Sequence, residues 1–441
     1  MTRRLLFLTP QVPYPPHQGT TIRNYNLIAN LAEHYEIHLL CFQNSDDDPP
    51  DNSPLPRYCS VIEAVPMPAP RSLVRRAWTT LTSASPDMGL RLASSTFQAR
   101  LGMLLERYRY DVVQIEGIEM APYGLWLLQH PLWRNAQQKD NLPTIPIGRP
   151  RLVFDDHNAE FVLQQRAWET DRHKPTRWHA ALYSRIQWKK LRRYERQICQ
   201  QADRVIAVSD ADRAALLELD PRLDVTVIPN GVDLDYYGTY RRENDAQAPD
   251  YGPNALVFTG KMDFRPNIDG VTWFANDVLP LVRRAVPDAQ FVIVGKEPHP
   301  RVQALTQQPG VTVAGFVPDI RAHIAAAAVY VAPLRMGGGT RLKVLEAMAM
   351  RRALVSTQLG SEGFSLQDGR EVLFADDAEA FARAVVALLN DPARRKQMGA
   401  AARQFVEQHY GWQAIVPRLE AVYHDLGVNG FSTDDSAPSN T

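Results

Sequence analysis

Short apolar runs alternate with helical patterns along this chain, and the alternation occurs twice. In the first half, residues 5–9, 36–42, 61–65, 111–115, 151–155, 204–208 and 225–228 read as strands. Helical periodicity fills most of the gaps, at 22–34, 96–108 and 177–201. A polar, Pro- and Gly-containing stretch without periodicity, 240–254, reads as the edge of a second domain. Strand patterns then return at 255–259, 290–294, 311–314, 329–332, 353–356 and 372–374. Helical stretches at 269–282, 320–327, 340–350 and 378–389 separate them. Such alternation predicts parallel sheets covered by helices, an α/β fold of two Rossmann-like domains. Ligands of open α/β sheets bind beyond the carboxyl ends of the strands, so a cleft between the domains is the expected site. The polar residues just after strands are then the candidates: Gly19, Arg23, Asp156, His157, Gly260, Lys261, Arg265 and 337–346.

A length of 441 residues allows two or three domains. Lys plus Arg and Asp plus Glu both number 49, so no global charge steers the chain to nucleic acid, and an anion site must be local. The three cysteines, Cys41, Cys59 and Cys199, cannot all pair and lack CxxC spacing. That argues against a disulfide framework and a structural zinc site, and fits a reducing compartment. Two N-terminal arginines precede an apolar run, as in a signal peptide, but Leu5 to Leu8 is too short for one and reads as a first strand. No interior run reaches the ~20 residues of a membrane span. The expected location is cytoplasmic.

The segment 332–350, APLRMGGGTRLKVLEAMAM, is the most informative about chemistry. Gly337, Gly338 and Gly339 join a strand to a helix that starts near Thr340, where backbone N–H groups can approach an anion. That helix is apolar nearly all round and should be buried. It nevertheless carries Lys343 and Glu346, three apart on one face. Glu346 therefore needs Lys343 as a partner or a ligand with hydroxyls, because a buried lone carboxylate is costly.

Six motifs, in order, resemble the family 4 retaining glycosyltransferases of the GT-B fold: PYPPHQGTTIRNYNL, FDDHNAE, ADRVIAVSDADR, VIPNGVD (227–233), FTGKMDFRPNIDG (258–270) and GGGTRLKVLEAMA (337–349). The resemblance implies an N-terminal acceptor-side domain over 1–232 and a nucleotide-sugar domain over 233–409. It also implies a C-terminal helix, 410–428, returning to the first domain, while the polar tail, 429–441, reads as disordered. It implies sugar transfer from a nucleoside-diphosphate donor to a saccharide or lipid-linked acceptor in polysaccharide or glycolipid synthesis, with no cofactor and no metal. Glu346 would then bind the donor ribose. Lys261, Arg265 and Lys343 would meet the diphosphate. Gly19, with Arg23 in the same motif, would let backbone approach the phosphates. The loop of Gly337, Gly338, Gly339 and Thr340 would cradle the donor, and His157 would stand near the transferred sugar. The family's first motif glutamate, eight positions before Glu346, is Gly338 here, which leaves the donor sugar open.

From spacing alone His157 could equally be structural, with Asp155 or Asp156 as its orienting partner. The D-x-D at Asp46 to Asp48 sits among Pro, Asn and Ser and reads as a solvated loop, as does the insertion at 136–150. Two segments are basic and amphipathic. In 184–197, six basic residues face one acid, with Trp188, Leu191 and Ile198 as an apolar stripe. In 70–81, Arg71, Arg75, Arg76 and Trp78 recur. Peripheral contact with the inner face of the cytoplasmic membrane is one reading of both, and an ordinary surface helix the other. Two readings compete with transfer. One is a GT-B epimerase or phosphorylase, and the other is a nucleotide-sugar-binding protein without catalysis, favoured by Gly338. An NAD site is the weakest reading, because no G-x-G-x-x-G opens the first strand–helix turn.

Overall fold

A computed structural model describes residues 3–45, 47–131, 133, 149–172, 178–337 and 341–428. Asp46, most of the 136–150 insertion, the loop residues Gly338, Gly339 and Thr340, and the tail 429–441 lie outside the described residues. The chain forms two compact units. One comprises 1–229 and 416–441, the other 230–415.

The first unit holds a seven-stranded parallel sheet. Its strands are β1 (Arg4–Thr9), β2 (Glu36–Gln43), β3 (Cys59–Pro66), β4 (Val112–Glu116), β5 (Arg151–Asp156), β6 (Arg204–Ala207) and β7 (Val225–Val227). They lie in the order β3-β2-β1-β4-β5-β6-β7. Leu5 to Leu8 are all buried, as befits a strand covered on both faces. The unit's helices include α1 (Gly19–Leu31), α2 (Leu73–Thr82), α3 (Glu160–Asp171) and α4 (Trp178–Gln201). Helix α3 buries only Phe161 and Asp171, too few to give a readable periodicity.

The second unit holds a six-stranded parallel sheet. Its strands are β8 (Ala255–Thr259), β9 (Gln290–Val294), β10 (Val311–Gly315), β11 (Val329–Ala332), β12 (Leu354–Ser356) and β13 (Leu373–Phe374). Their order is β10-β9-β8-β11-β12-β13. The continuous helix expected over 269–282 is instead α5 (Arg265–Trp273) followed by a π-helical turn, Phe274–Val278. Pro280 explains the interruption, since it has no N–H to give the preceding turn. Helix α6 (Leu342–Ala349) follows β11, and α7 (Trp412–Asp425) is the last helix. Among the described residues, no helix is long and apolar enough to cross a membrane.

Both sheets reverse their strand order once, between β1 and β4 and between β8 and β11. Such a reversal opens a crevice at the strands' carboxyl ends, because the flanking connections leave to opposite sides.

Candidate active site

In the first unit the reversal lies between β1 and β4, and the ends of β4 and its neighbour β5 carry the polar groups. Glu116 ends β4 and is fully buried. Its Oε2 lies 2.8 Å from His157 Nε2, and its Oε1 accepts from Gln114 Nε2 at 2.6 Å. The Tyr423 hydroxyl of α7 in turn donates to Gln114 Oε1. A chain of polar side chains thus runs Tyr423–Gln114–Glu116–His157 and fixes the imidazole. With Nε2 bound to a carboxylate, Nδ1 is the ring atom left for other work. The loop that carries His157 is pinned from behind. Asp212, from the ADRVIAVSDADR motif, accepts from Ala159 N at 3.1 Å. Glu195 of α4 accepts from Glu160 N and Phe161 N at 2.7 and 2.9 Å, which places a carboxylate at the N-terminus of α3.

The orienting partner of His157 is therefore Glu116, not Asp155 or Asp156 as expected. Asp155 is bound instead by Arg23, with Nε and Nη2 at 2.9 and 2.7 Å from its Oδ2. Burial raises the Asp155 carboxyl to about 6, against the pull of Arg23. Asp156 is 1% exposed, and burial among Glu195, Glu160 and Asp212 pushes its carboxyl well above the usual range. Arg23 was expected at a ligand, but it is 1% exposed and also donates to Pro229 O at 3.2 Å. Its guanidinium is used inside the unit, joining α1 to β5 and to the end of the VIPNGVD strand. Gly19 is the first residue of α1 and is exposed, so the start of that helix carries no side chain.

Ligand-type atoms of Glu116, Asp155 and His157 lie within 4.8 Å of one another. Their chemistry would suit a divalent cation. Arg23 already supplies a positive charge to Asp155, however, and His157 already occupies Glu116 Oε2. Asp155 Oδ1 has no hydrogen-bond partner among the described residues, but a cation there would crowd the Arg23 guanidinium and break the Glu116–His157 contact, so the residues fit one poorly.

In the second unit the crevice lies after β8 and β11. Gly260 follows β8 with φ +155°, and a Cβ there would meet Lys343 Nζ at 2.6 Å and Asn267 Nδ2 at 2.8 Å. The glycine thus lets two side chains cross the strand end closely. Lys343 donates to Asn267 Oδ1 at 2.7 Å and lies 4.2 Å from the centre of the Phe258 ring. Asn267 is held by donating to Lys261 O at 2.8 Å. Burial pushes the Lys343 ammonium down to about 7; Glu346 opposes the shift and Arg341 adds to it. Glu346 makes its hydrogen bond with Tyr237, and burial raises its carboxyl. The i,i+3 salt pair considered for Lys343 and Glu346 does not form, since each has taken another partner. Arg341, next to the glycine loop, is 5% exposed and donates to Leu359 O at 3.4 Å. Gly337 has φ +112°, a left-handed conformation that suits glycine.

Two of the expected diphosphate cations differ from Lys343. Lys261 is half-exposed and already paired with Asp263 at 2.9 Å and Glu297 at 3.0 Å, which raise its pKa. Arg265 is exposed at the start of α5 and makes no ion pair among the described residues.

A family model described as glycosyltransferase family 4 matches residues 18–236, and one described as glycosyl transferases group 1 matches residues 253–391. The chain belongs to glycosyltransferase family 4. Phosphatidyl-myo-inositol mannosyltransferase of Mycobacterium leprae is 32% identical over 231 residues, 51% of this chain and 60% of that protein. The first curated relatives that the chain matches are spanned over 42% to 66% of their lengths. Sucrose-phosphate synthase from Thermosynechococcus elongatus has a similar fold, with TM-score 0.66 and 20% identity over 96% of this chain and 99% of that one. HepE of Anabaena, solved in complex with UDP, has TM-score 0.61 and 14% identity over 96% and 100%. These likenesses assign the GT-B fold of two Rossmann-like domains, as the strand alternation predicts.

Within this family member, sequence reasoning missed Glu116, Gln114, Asn267 and Tyr237, and it gave Arg341, inside the 337–346 candidates, no role of its own. Glu116 ends a strand, so position alone could have flagged it. Gln114, Asn267 and Tyr237 gain their roles from partners 309, 76 and 109 positions away; Asn267 sits in the 258–270 motif, and no local signal marks the other two.

Proposed function

We propose that this family 4 chain transfers a sugar from a nucleoside-diphosphate donor to a saccharide or lipid-linked acceptor, with retention and without a metal. The observation that carries the reading is Lys343. It is a partly buried ammonium with a lowered pKa, beside Arg341 and across a glycine at a strand-reversal crevice. Burial and the neighbouring Arg341 both disfavour the Lys343 charge, and a diphosphate placed beside them would favour it. Glu346 and Tyr237 offer a carboxylate and a hydroxyl to ribose hydroxyls. In the reaction the bond from the anomeric carbon to the β-phosphate oxygen breaks. The acceptor oxygen bonds to the same face, and its proton passes to a departing phosphate oxygen. Lys343 and Arg341 stabilise the charge that grows there. His157, held by Glu116, contacts the transferred sugar through its Nδ1 side. The UDP in HepE and the lipid named in the mannosyltransferase relative are compatible with this donor and acceptor class.

The test is thermal unfolding with a panel of nucleoside diphosphates and their sugar conjugates, since a ligand of the native state raises the midpoint. At least one is expected to stabilise the wild-type chain. Glu346→Gln should weaken its binding by about 1.5–3 kcal/mol, the range for a hydrogen bond to a charged group. Absence of stabilisation by every member of the panel would sink the reading.

A further inference from the structure

Helix α2 is built inside out. Its polar side faces the protein: Thr80 Oγ1 accepts from Gln187 Nε2 at 3.2 Å, and Lys190 Nζ of α4 donates to Thr80 O at 2.8 Å. Arg76 reaches Asp87 at 3.0 Å and the Tyr183 hydroxyl at 3.3 Å. The apolar residues point outward, with Leu73 79%, Val74 80%, Trp78 68% and Leu81 76% exposed. A water-facing helix normally buries this stripe. Helix α4 meets α2 through Tyr183, Gln187 and Lys190, and in its first turns Trp178 and Leu182 are 67% and 49% exposed.

Asp87 is paired with Arg71 and Arg76, and the exposed charges on α2 and the first turns of α4 that are unpaired among the described residues are positive. Helix α2 contains two arginines and no acid, and Arg75 is exposed. The outer ridge of α4 continues from Trp178 and Leu182 into Arg185, Lys189 and Arg192, all exposed and without an ion pair among the described residues. The chain's net charge is zero, so this basic rim is local. The expected apolar stripe of the 184–197 segment does not contribute: Leu191 and Ile198 are buried, and Trp188 stacks on Trp168 at 5.4 Å. An aromatic and aliphatic surface rimmed by unpaired cations matches an anionic lipid surface. There the apolar side chains enter the acyl boundary and the cations meet headgroup phosphates.

We propose that the outer face of α2, with the first turns of α4, docks this protein on an anionic bilayer. The proposal is independent of the transfer chemistry, because docking is read without a donor or acceptor. The 441-residue chain would be floated with vesicles of phosphatidylcholine alone and of phosphatidylcholine with phosphatidylglycerol. Binding is expected only to the anionic vesicles, weakening as salt rises. Trp78→Glu is expected to reduce it by about tenfold or more while the melting temperature stays unchanged, since the side chain is mostly exposed. Arg75→Glu should act in the same direction. No binding to anionic vesicles, or equal binding by Trp78→Glu, overturns the proposal. So does a wild-type dimer in sedimentation that Trp78→Glu dissolves, because the face would then be covered by a second copy.

Discussion

Two side chains carry sharp expectations at the residue scale. His157 is oriented by a buried carboxylate, and its effect should therefore depend on that carboxylate. His157→Ala is expected to lower turnover by about 10²–10⁴-fold, the scale of a positioned acid–base or electrostatic group. Glu116→Gln removes a charge-assisted bond, about 1.5–3 kcal/mol, and should lower turnover by roughly 10- to 150-fold with donor affinity kept. Steady-state kinetics with a binding isotherm separates the two quantities; unaltered turnover in Glu116→Gln would make the Glu116–His157 contact merely structural. Lys343 titrates near 7 because burial disfavours its charge. Its folded-state pKa lies below the unfolded value. Over the window from about 7 up to the ordinary lysine range, the unfolded chain therefore binds more protons, and stability rises with pH. A bound diphosphate should reverse the shift, since an opposite charge favours the ammonium. At pH ~8 nucleoside-diphosphate binding is thus expected to take up a proton. Calorimetry in two buffers of different ionisation enthalpy would show it, and identical heats would rule it out. Lys343→Met should remove the buffer dependence.

At the scale of elements, the strand ends of the second unit position Lys343. A Cβ on Gly295, which follows β9 with φ +153°, would lie 1.6 Å from Gly260 O. A strained conformation and an overpacked contact each cost about 1–3 kcal/mol. Gly295→Ala is expected to lower unfolding free energy by about 3 kcal/mol or more and to displace the Gly260 turn on which Lys343 rests. Denaturant titration measures the first effect. A Gly295→Ala protein of wild-type stability would mean that the two turns can separate freely. The motifs gain physical content here as well. ADRVIAVSDADR supplies Asp212, which pins the His157 loop at Ala159. VIPNGVD supplies Pro229 O to Arg23, and its Gly231 has no room for a Cβ beside Trp412, at 2.7 Å.

For the whole molecule, activity is expected to survive excess chelator, because a cation at Glu116, Asp155 and His157 would crowd Arg23 and break the Glu116–His157 contact. Loss of turnover in EDTA, restored by manganese or magnesium, would instead make Glu116, Asp155 and His157 metal ligands. The sequence by itself determined the architecture. Short continuous apolar runs and helical 3.6-residue periods are local properties, and thirteen such strand runs in two series, with helical patterns between most of them, leave little but two parallel sheets. It also marked His157, Gly260, Lys343 and Glu346, since each directly follows a strand or sits on an apolar helix as a lone charge. Tertiary structure alone decided how those groups are paired. The sequence offered Lys343 to Glu346, three residues away, whereas packing gave Lys343 to Asn267 and Glu346 to Tyr237. It offered Asp155 to His157, whereas the sheet order set Glu116 beside the imidazole and Arg23 on Asp155. The physical reason is range. Periodicity is written within a few residues, but the partner of a charge is whichever group the fold brings within about 3 Å, from any distance along the chain. Which face of α2 meets water was decided in the same way, by polar contacts to α4 more than a hundred residues away.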